Sequence, residues 1–417
     1  MRIGFIATRL KGTDGVSLEV EKWSKVLRRM GHDLYYCAGE LGGYAKNGTL
    51  IPELHFAHHT ILTLSQRAFD EHETSVESKE KLRDEIYSIA DEIRTPLRKF
   101  IRSNHLDVVI VQNALTIPMN LPLGVCLTGL IAELGINTIA HHHDFFWERQ
   151  RYQTNSILDM LDTTFPARLP SIQHVTINTI AQRRLEARRD IDSLVIPNVL
   201  DFATPPPGID EYNRDFRNTI GLREGDYLFL QPTRIIQRKG IELALELVHR
   251  LDEEESRLII THRADDEGLS YWHWLKREAG VMGVNLQLID HLIGDERSKI
   301  NGHKIYTLWD AYPHADLVTF PSLYEGFGNA LLEAIYFKRL TVVNRYPVYN
   351  ADIRPRGFEF IEMDGFVDDA CVQMTCDYLG DEDRVHEMTE KNYEIAKEHF
   401  SFEVLEKRLV ELLANFK

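Results

Sequence analysis

Short apolar runs separated by longer stretches of helical pattern recur along nearly all of this 417-residue chain, and no other feature restricts the possible folds so strongly. In the first half the runs are Ile3 to Ala7, Asp33 to Ala38, Val108 to Gln112, Thr138 to His142, Val175 to Asn178 and Ser193 to Ile196. Runs buried on both faces, with spacers long enough for crossover helices, predict parallel sheets wrapped by helices, an α/β fold. At "NVLDFATPPPGIDEYNRDF" the pattern stops: Pro205, Pro206, Pro207 and Gly208 form a stiff segment in which no packed element continues. It restarts with "YLFLQPTR", "RLIITHR", "LQLID", "DLVTFPS" and "LTVVNRY". The expectation is two doubly wound, Rossmann-like domains, residues 1–203 and 204–400. A last helix, 401–417, with Ser401 as its N-cap, is expected to pack back on the first domain. Such sheets bind ligands beyond the carboxyl ends of their strands, so two of them are expected to face a cleft with binding loops on both walls.

Charge narrows the partners. The net charge of -16 is uneven, with 23 Lys and Arg against 24 Asp and Glu in residues 1–200 and 25 against 40 in residues 201–417. An acidic surface repels nucleic-acid backbones and anionic lipid, which argues against nucleic acid and broad membrane association. The local exception, "EVEKWSKVLRRMG", carries Lys22, Lys25, Arg28 and Arg29 around Trp23, Val26 and Leu27. It reads either as a solvated face over a core stripe or as a basic helix lying on a membrane, the first being favoured. Val108 to Ala132 carries no charge, yet Gln112, Asn113, Pro118, Asn120 and Pro122 interrupt it as a membrane span. Four cysteines are too few for a disulfide framework, and "MRIGFIATRL" opens like a strand rather than a signal peptide, so a cytoplasmic protein is expected.

"DLVTFPSLYEGFGNALLEAIYF" parses as strand, loop and helix. Gly326 and Gly328 let backbone approach a ligand, and a helix starting near Asn329 aims free N–H groups and its positive dipole end at the same place. A diphosphate there leaves Glu325 and Glu333 facing the two ends of the ligand, where carboxylates accept from the hydroxyls of a sugar ring or ribose. A structural alternative stands beside this: "SLYE" has capping-box spelling, and Glu333 complements a helix dipole. After "YLFLQ", Arg234 and Lys239 precede Gly240 and another helix, and two cations there suit a diphosphate leaving group. Arg238 reads as a solvated charge.

In "IAHHHDFFWERQRY" three histidines and Asp144 suggest a metal. Consecutive strand residues point to opposite faces, so His141, His142 and His143 cannot all chelate one ion, and no metal or cofactor is expected. Arg149 and Arg151 follow this strand end, as Arg9 and Lys11 follow the first strand, where binding loops belong.

The R(x4)K loop and the E(x7)E segment, preceded by "PSLYEGFG" and followed by "EAIYFKRLTVV", resemble the retaining glycosyltransferases of family four, which have the GT-B fold. "GTDGVSLEVEKWSKVLRRMGHDL" is similar to the family's first glycine loop and helix. The resemblance implies that Arg234 and Lys239 bind the donor diphosphate, Glu325 the donor hexose and Glu333 the nucleotide ribose, with Gly326, Phe327, Gly328 and Asn329 lining the donor. It places His143 near the reacting sugar and Asp14, Gly15, Val16 and Asp144 on the acceptor side. The separated Gly12 and Gly15 depart from the family's adjacent glycines. The expected reaction moves a hexose from a nucleotide diphosphate sugar to a small polar acceptor without a metal. "GTDGVSLE", "AHHHDFFWER" and "YEGFGNALLEAIYFK" are similar to a subgroup that makes a glycerate glycoside as compatible solute, implying GDP-mannose as donor, or UDP-glucose, and glucosylglycerate as acceptor. The rival classes are a sugar-nucleotide 2-epimerase and a non-catalytic nucleotide-sugar sensor. Nothing in the sequence speaks to oligomeric state. If the acceptor carries a carboxylate, Arg9, Lys11, Arg149 and Arg151 are its expected partners.

Overall fold

The computed structural model describes residues 1–12, 14–71, 75–252, 256–264 and 269–416. They form two compact units, Met1–Asn198 with Phe402–Lys417, and Val199–Ser401. The first break thus falls after Asn198, ahead of the prolines at 205–207, and the last helix is assigned to the unit that opens the chain.

In the first unit the strands are β1 Arg2–Ala7, β2 Asp33–Ala38, β3 Gly48–Leu50, β4 Val108–Gln112, β5 Asn137–His142, β6 Ile172–Thr176 and β7 Ser193–Val195. They pair in parallel in the order β3-β2-β1-β4-β5-β6-β7. All of β4 is buried, which is why its sequence is an unbroken apolar run rather than an alternating one. The Gly15–Arg29 helix starts where Asp14 accepts from the N–H groups of Val16 and Ser17, both at 3.1 Å. Its Val20, Trp23, Val26 and Leu27 are wholly buried, so the apolar stripe belongs to the core and none of it is left for a membrane. Val108 to Ala132 divides into β4 and the Leu121–Leu134 helix, which Gly135 ends in a left-handed conformation. Among the described residues no helix is long and apolar enough to cross a membrane. The Phe402–Ala414 helix buries Phe402, Leu405, Leu409, Leu412 and Leu413, and its Glu406 accepts from Arg29 Nη2 at 3.0 Å.

The second unit repeats the plan with β8 Tyr227–Gln231, β9 Ser256–Ile260, β10 Leu286–Leu288, β13 Leu317–Phe320, β14 Thr341–Asn344 and β15 Ile361–Met363. Their parallel order is β10-β9-β8-β13-β14-β15, and a separate antiparallel hairpin pairs β11 Ser298–Ile300 with β12 His303–Ile305. In each sheet the order reverses once, between β1 and β4 and between β8 and β13. The loops leaving those strands open the crevice in which doubly wound sheets take ligands. The sequence pattern does not show β3, β15 or the hairpin, and it sets the β6 run too late. Asn178 is no strand residue; its side chain caps the Thr179–Arg189 helix by accepting from Ala181 N–H at 2.7 Å.

Candidate active site

In the second unit the loops after β8 and β13 are laced together. A short 3-10 turn, Gln237–Lys239, ends at Gly240, whose φ of +57° is left-handed and whose missing Cβ would stand 2.4 Å from the Pro321 carbonyl oxygen. Leu323 N–H donates to the Arg238 carbonyl at 2.8 Å, and Arg238 Nη1 to the Tyr324 carbonyl at 3.0 Å. Between these loops sits Glu325, 7% exposed, accepting from Lys239 Nζ and, at 3.0 Å, from Arg238 Nη1. A carboxylate and an ammonium are buried here together, an arrangement that is stable only because each compensates the other. Burial by itself would raise the Glu325 carboxyl; Lys239 and Arg238 outweigh it and hold it below the usual glutamate value. Burial also lowers the Lys239 ammonium; Glu325 opposes this, while Arg238 and Arg234 add to it. Arg238 is therefore no idle surface charge, as the sequence suggested, but the second cation on Glu325. Arg234 is exposed on the same loop.

Gly328, at φ +121°, is the N-cap position of the Asn329–Tyr336 helix, and a Cβ on it would lie 2.6 Å from Tyr346 Oη. That hydroxyl donates to the Phe327 carbonyl at 2.6 Å, and Phe327 itself is buried. Because the helix starts at Asn329, Ser322 to Glu325 is loop, and its capping-box spelling has no helix to cap. Glu333 lies one turn in and accepts from Tyr312 Oη at 3.0 Å and, more weakly, from Trp309 Nε1 at 3.5 Å. His262, on the loop after β9, is held below the ordinary imidazole range by burial first and then by the positive charges of Arg234 and Lys239. Trp309, Tyr312 and Arg238 carried no recognisable signal of their own.

In the first unit the loops after β1, β4 and β5 gather a second group. Asp14 Oδ2 accepts from Arg9 Nη2 at 3.0 Å, and Arg9 lies over the Phe56 ring at 5.2 Å. His143 Nε2 meets Gln112 Oε1 at 3.1 Å, and its N–H donates to Asn113 Oδ1 at 3.1 Å. Burial pushes this imidazole down to about 4, against the opposing pull of Asp144 and Asp14, so the ring is neutral at pH 7. Asp144 accepts from Asn113 Nδ2 at 2.8 Å and from Arg149 Nε at 2.7 Å. The histidine run divides between faces: the His141 and His143 rings are 4.5 Å apart with Trp23 stacked on His141 at 4.4 Å, while His142 turns away to His174 at 2.8 Å. Arg151 does not join the group; it lies on Asp70, Nη2 to Oδ2 at 2.9 Å. Lys11 is likewise engaged, with Glu40 at 2.7 Å.

Two doubly wound sheets with an acid held between cations at a switch point define a GT-B glycosyltransferase. The chain matches the family model for glycosyl transferases group 1 over residues 213–355, the part that holds the Glu325 loops. A glycosyltransferase crystal structure from Rickettsia africae superposes with a TM-score of 0.70 at 13% identity, covering 100% of this chain and 98% of that one. Within this class the chain belongs to the mannosylglucosylglycerate synthase family. It is 36% identical over 388 residues to the enzyme of that name from Petrotoga mobilis, covering 87% of this chain and 86% of the relative. The Thermotoga maritima enzyme of the same name is 33% identical, with 97% of this chain and 98% of the relative covered.

Proposed function

We propose that this glycosyltransferase moves a hexose from a nucleotide diphosphate sugar, GDP-mannose or UDP-glucose, to glucosylglycerate with retention at the anomeric carbon. The observation that carries the donor side is Glu325 held by Lys239 and Arg238 at the β8/β13 switch point, beside the start of the Asn329–Tyr336 helix. A lysine ammonium has three donors, so one on Glu325 leaves others for phosphate oxygens. Lys239, Arg234 and the helix N-terminus offset the charge that builds on the diphosphate as the C1–O bond to phosphate breaks. Glu325 accepts from hexose hydroxyls and Glu333 from the ribose, with backbone at Gly326, Phe327, Gly328 and Asn329 lining the donor. The acceptor hydroxyl attacks from the face that the phosphate leaves: a C1–O bond to the acceptor forms, and its proton passes to the departing phosphate oxygen. No protein nucleophile and no metal is needed, since positioning and fixed charge do the work. The first unit, Met1–Asn198 with Phe402–Lys417, is assigned the acceptor, with neutral His143, Asp144, Asp14, Gly15, Arg9 and Arg149 around it. Arg151, committed to Asp70, is the weakest of the expected acceptor residues.

The mannosylglucosylglycerate synthases named above support the glycerate glycoside as acceptor, because this chain shares most of its length with both. The test is a matrix of nucleotide sugars against glucosylglycerate, glucosylglycerol and neutral sugars, with products read by mass spectrometry and by NMR of the anomeric proton. The expected result is one dominant product, a hexosyl glucosylglycerate of retained configuration, formed equally well in EDTA. Donor consumption without acceptor would indicate an epimerase, binding without turnover a sensor, and preference for neutral acceptors would overturn the glycerate assignment.

A further inference from the structure

Two amide side chains stand where β4 ends, Gln112 as its last residue and Asn113 as the first of the loop. Gln112 is buried and registers with His141 across the β4–β5 pair. His143 lies two residues beyond His141, so its ring returns to the same face, 4.5 Å from that of His141. There Gln112 Oε1 meets His143 Nε2 at 3.1 Å. An amide oxygen only accepts, and the neutral imidazole carries a single N–H, so the proton sits on Nε2 and Nδ1 keeps its lone pair. His143 is half-buried, and among the described residues no protein group bonds its Nδ1. Asn113 has a left-handed backbone, φ +58°, a conformation that asparagine tolerates better than most residues. Its contacts hold it there: its N–H donates to the His141 carbonyl at 2.9 Å, and its Oδ1 accepts from His143 N–H at 3.1 Å and Thr116 Oγ1 at 3.0 Å. Its Nδ2 donates to Asp144 Oδ1 at 2.8 Å, and Arg149 Nε donates to Oδ2 at 2.7 Å, so both oxygens of that carboxylate are held.

We propose that Gln112 and Asn113 are positioning residues for sugar transfer: Gln112 fixes the tautomer in which His143 offers Nδ1 to a substrate hydroxyl, and Asn113 fixes the Asp144 carboxylate beside it. This rests on the assignment of His143 and Asp144 to the substrate. A ring held in this way accepts from a hydroxyl and has no second N–H to give. The test is NMR of the substrate-free full chain with isotopically labelled histidine, in which protonated and bare ring nitrogens resonate apart. The His143 signals are those lost in His143→Asn. A protonated Nε2 and a bare Nδ1 are expected. In Gln112→Leu, which removes the acceptor, the tautomers are expected to mix and kcat to fall about 10- to 100-fold, with KM changed less. Gln112→Glu restores an acceptor, so the tautomer and most of the activity should return. Its added carboxylate favours the imidazolium, so the acid limb of the pH profile should move to higher pH, with the charges already acting on the ring, Asp144, Asp14 and Lys22, unchanged. Asn113→Gly keeps the left-handed backbone and removes the clamp on Asp144, and a lower kcat is expected from it too. A protonated Nδ1 in wild type, an unchanged tautomer in Gln112→Leu, a Gln112→Glu as inactive as Gln112→Leu with its acid limb unmoved, or a wild-type kcat in Asn113→Gly would each overturn the placement. The tautomer is read without substrate, so its failure is distinct from failure of the acceptor assignment, which shows as transfer to neutral acceptors instead.

Discussion

Lys239 is buried against an acid, and this makes its replacement doubly damaging. Lys239→Ala removes a positive charge from the proposed leaving-group site and leaves the buried Glu325 carboxylate with Arg238 as its remaining cation. The expected outcome is a kcat at least about 100-fold lower, from the loss of one charge contact to the transition state. A stability loss accompanies it, read by urea denaturation, and is expected to be smaller than the roughly 3–5 kcal/mol of an uncompensated buried charge because Arg238 still pairs with Glu325. Arg238→Ala leaves Lys239 in place and removes a more exposed cation, so a smaller stability loss is expected. Gly240→Ala forces a Cβ into the Pro321 carbonyl at a left-handed φ. It is expected to cost about 1–3 kcal/mol and to weaken nucleoside diphosphate binding, checked by calorimetry. The two glutamates, the glycines and Lys239 were legible because their chemistry is local: acid, turn and cation stand at a strand end. Arg238 was not, because its partner lies 87 residues further on, and only the packing of one loop on another brings them together.

Strand β5 is the element whose composition has the clearest physical consequence. His143 beside it, and His174 on neighbouring β6, are both depressed to about 4 by burial, and His141 and His142 shift the same way. In the unfolded chain each titrates near 6.5. Between those values the unfolded state binds more protons than the native one, so stability rises with pH across the window and is lost on acidification from about 6.5 toward 4. Each histidine contributes a slope of up to about 1.4 kcal/mol per pH unit, and denaturation curves taken at pH 7.5, 6 and 5 should show it. His143→Asn should flatten the slope by about one proton. Elements of this kind, long apolar runs and capped helices, were readable from periodicity. The three-residue strands β3 and β15 were not, since so short a segment carries no period and exists as strand only by hydrogen bonding to β2 and β14.

For the whole molecule, the chain returns to its first unit at the end. The Phe402–Ala414 helix buries Leu405 and Leu409 completely, and Gln173 Nε2 donates to its Leu412 carbonyl at 3.0 Å. Leu405→Ala and Leu409→Ala are each expected to cost about 2–5 kcal/mol, as for other buried leucines, measured by chemical denaturation. Removal of residues 402–417 should leave the first unit unable to unfold cooperatively in calorimetry, because the surface covered by Phe402, Leu405, Leu409, Leu412 and Leu413 would be opened to water.

Which long apolar runs become strands, that they alternate with helices in two doubly wound units, and which loops carry glycine, acid and cation follow from neighbours in sequence, since burial on two faces, turn strain and helix capping act over a few residues, whereas the short strands β3 and β15 exist only by pairing. Which charges neutralise one another depends instead on loops brought together across the fold. Arg238 on Glu325, Arg151 on Asp70 and His142 turned to His174 are decided there, because ion pairing and desolvation depend on distance in space rather than on separation along the chain.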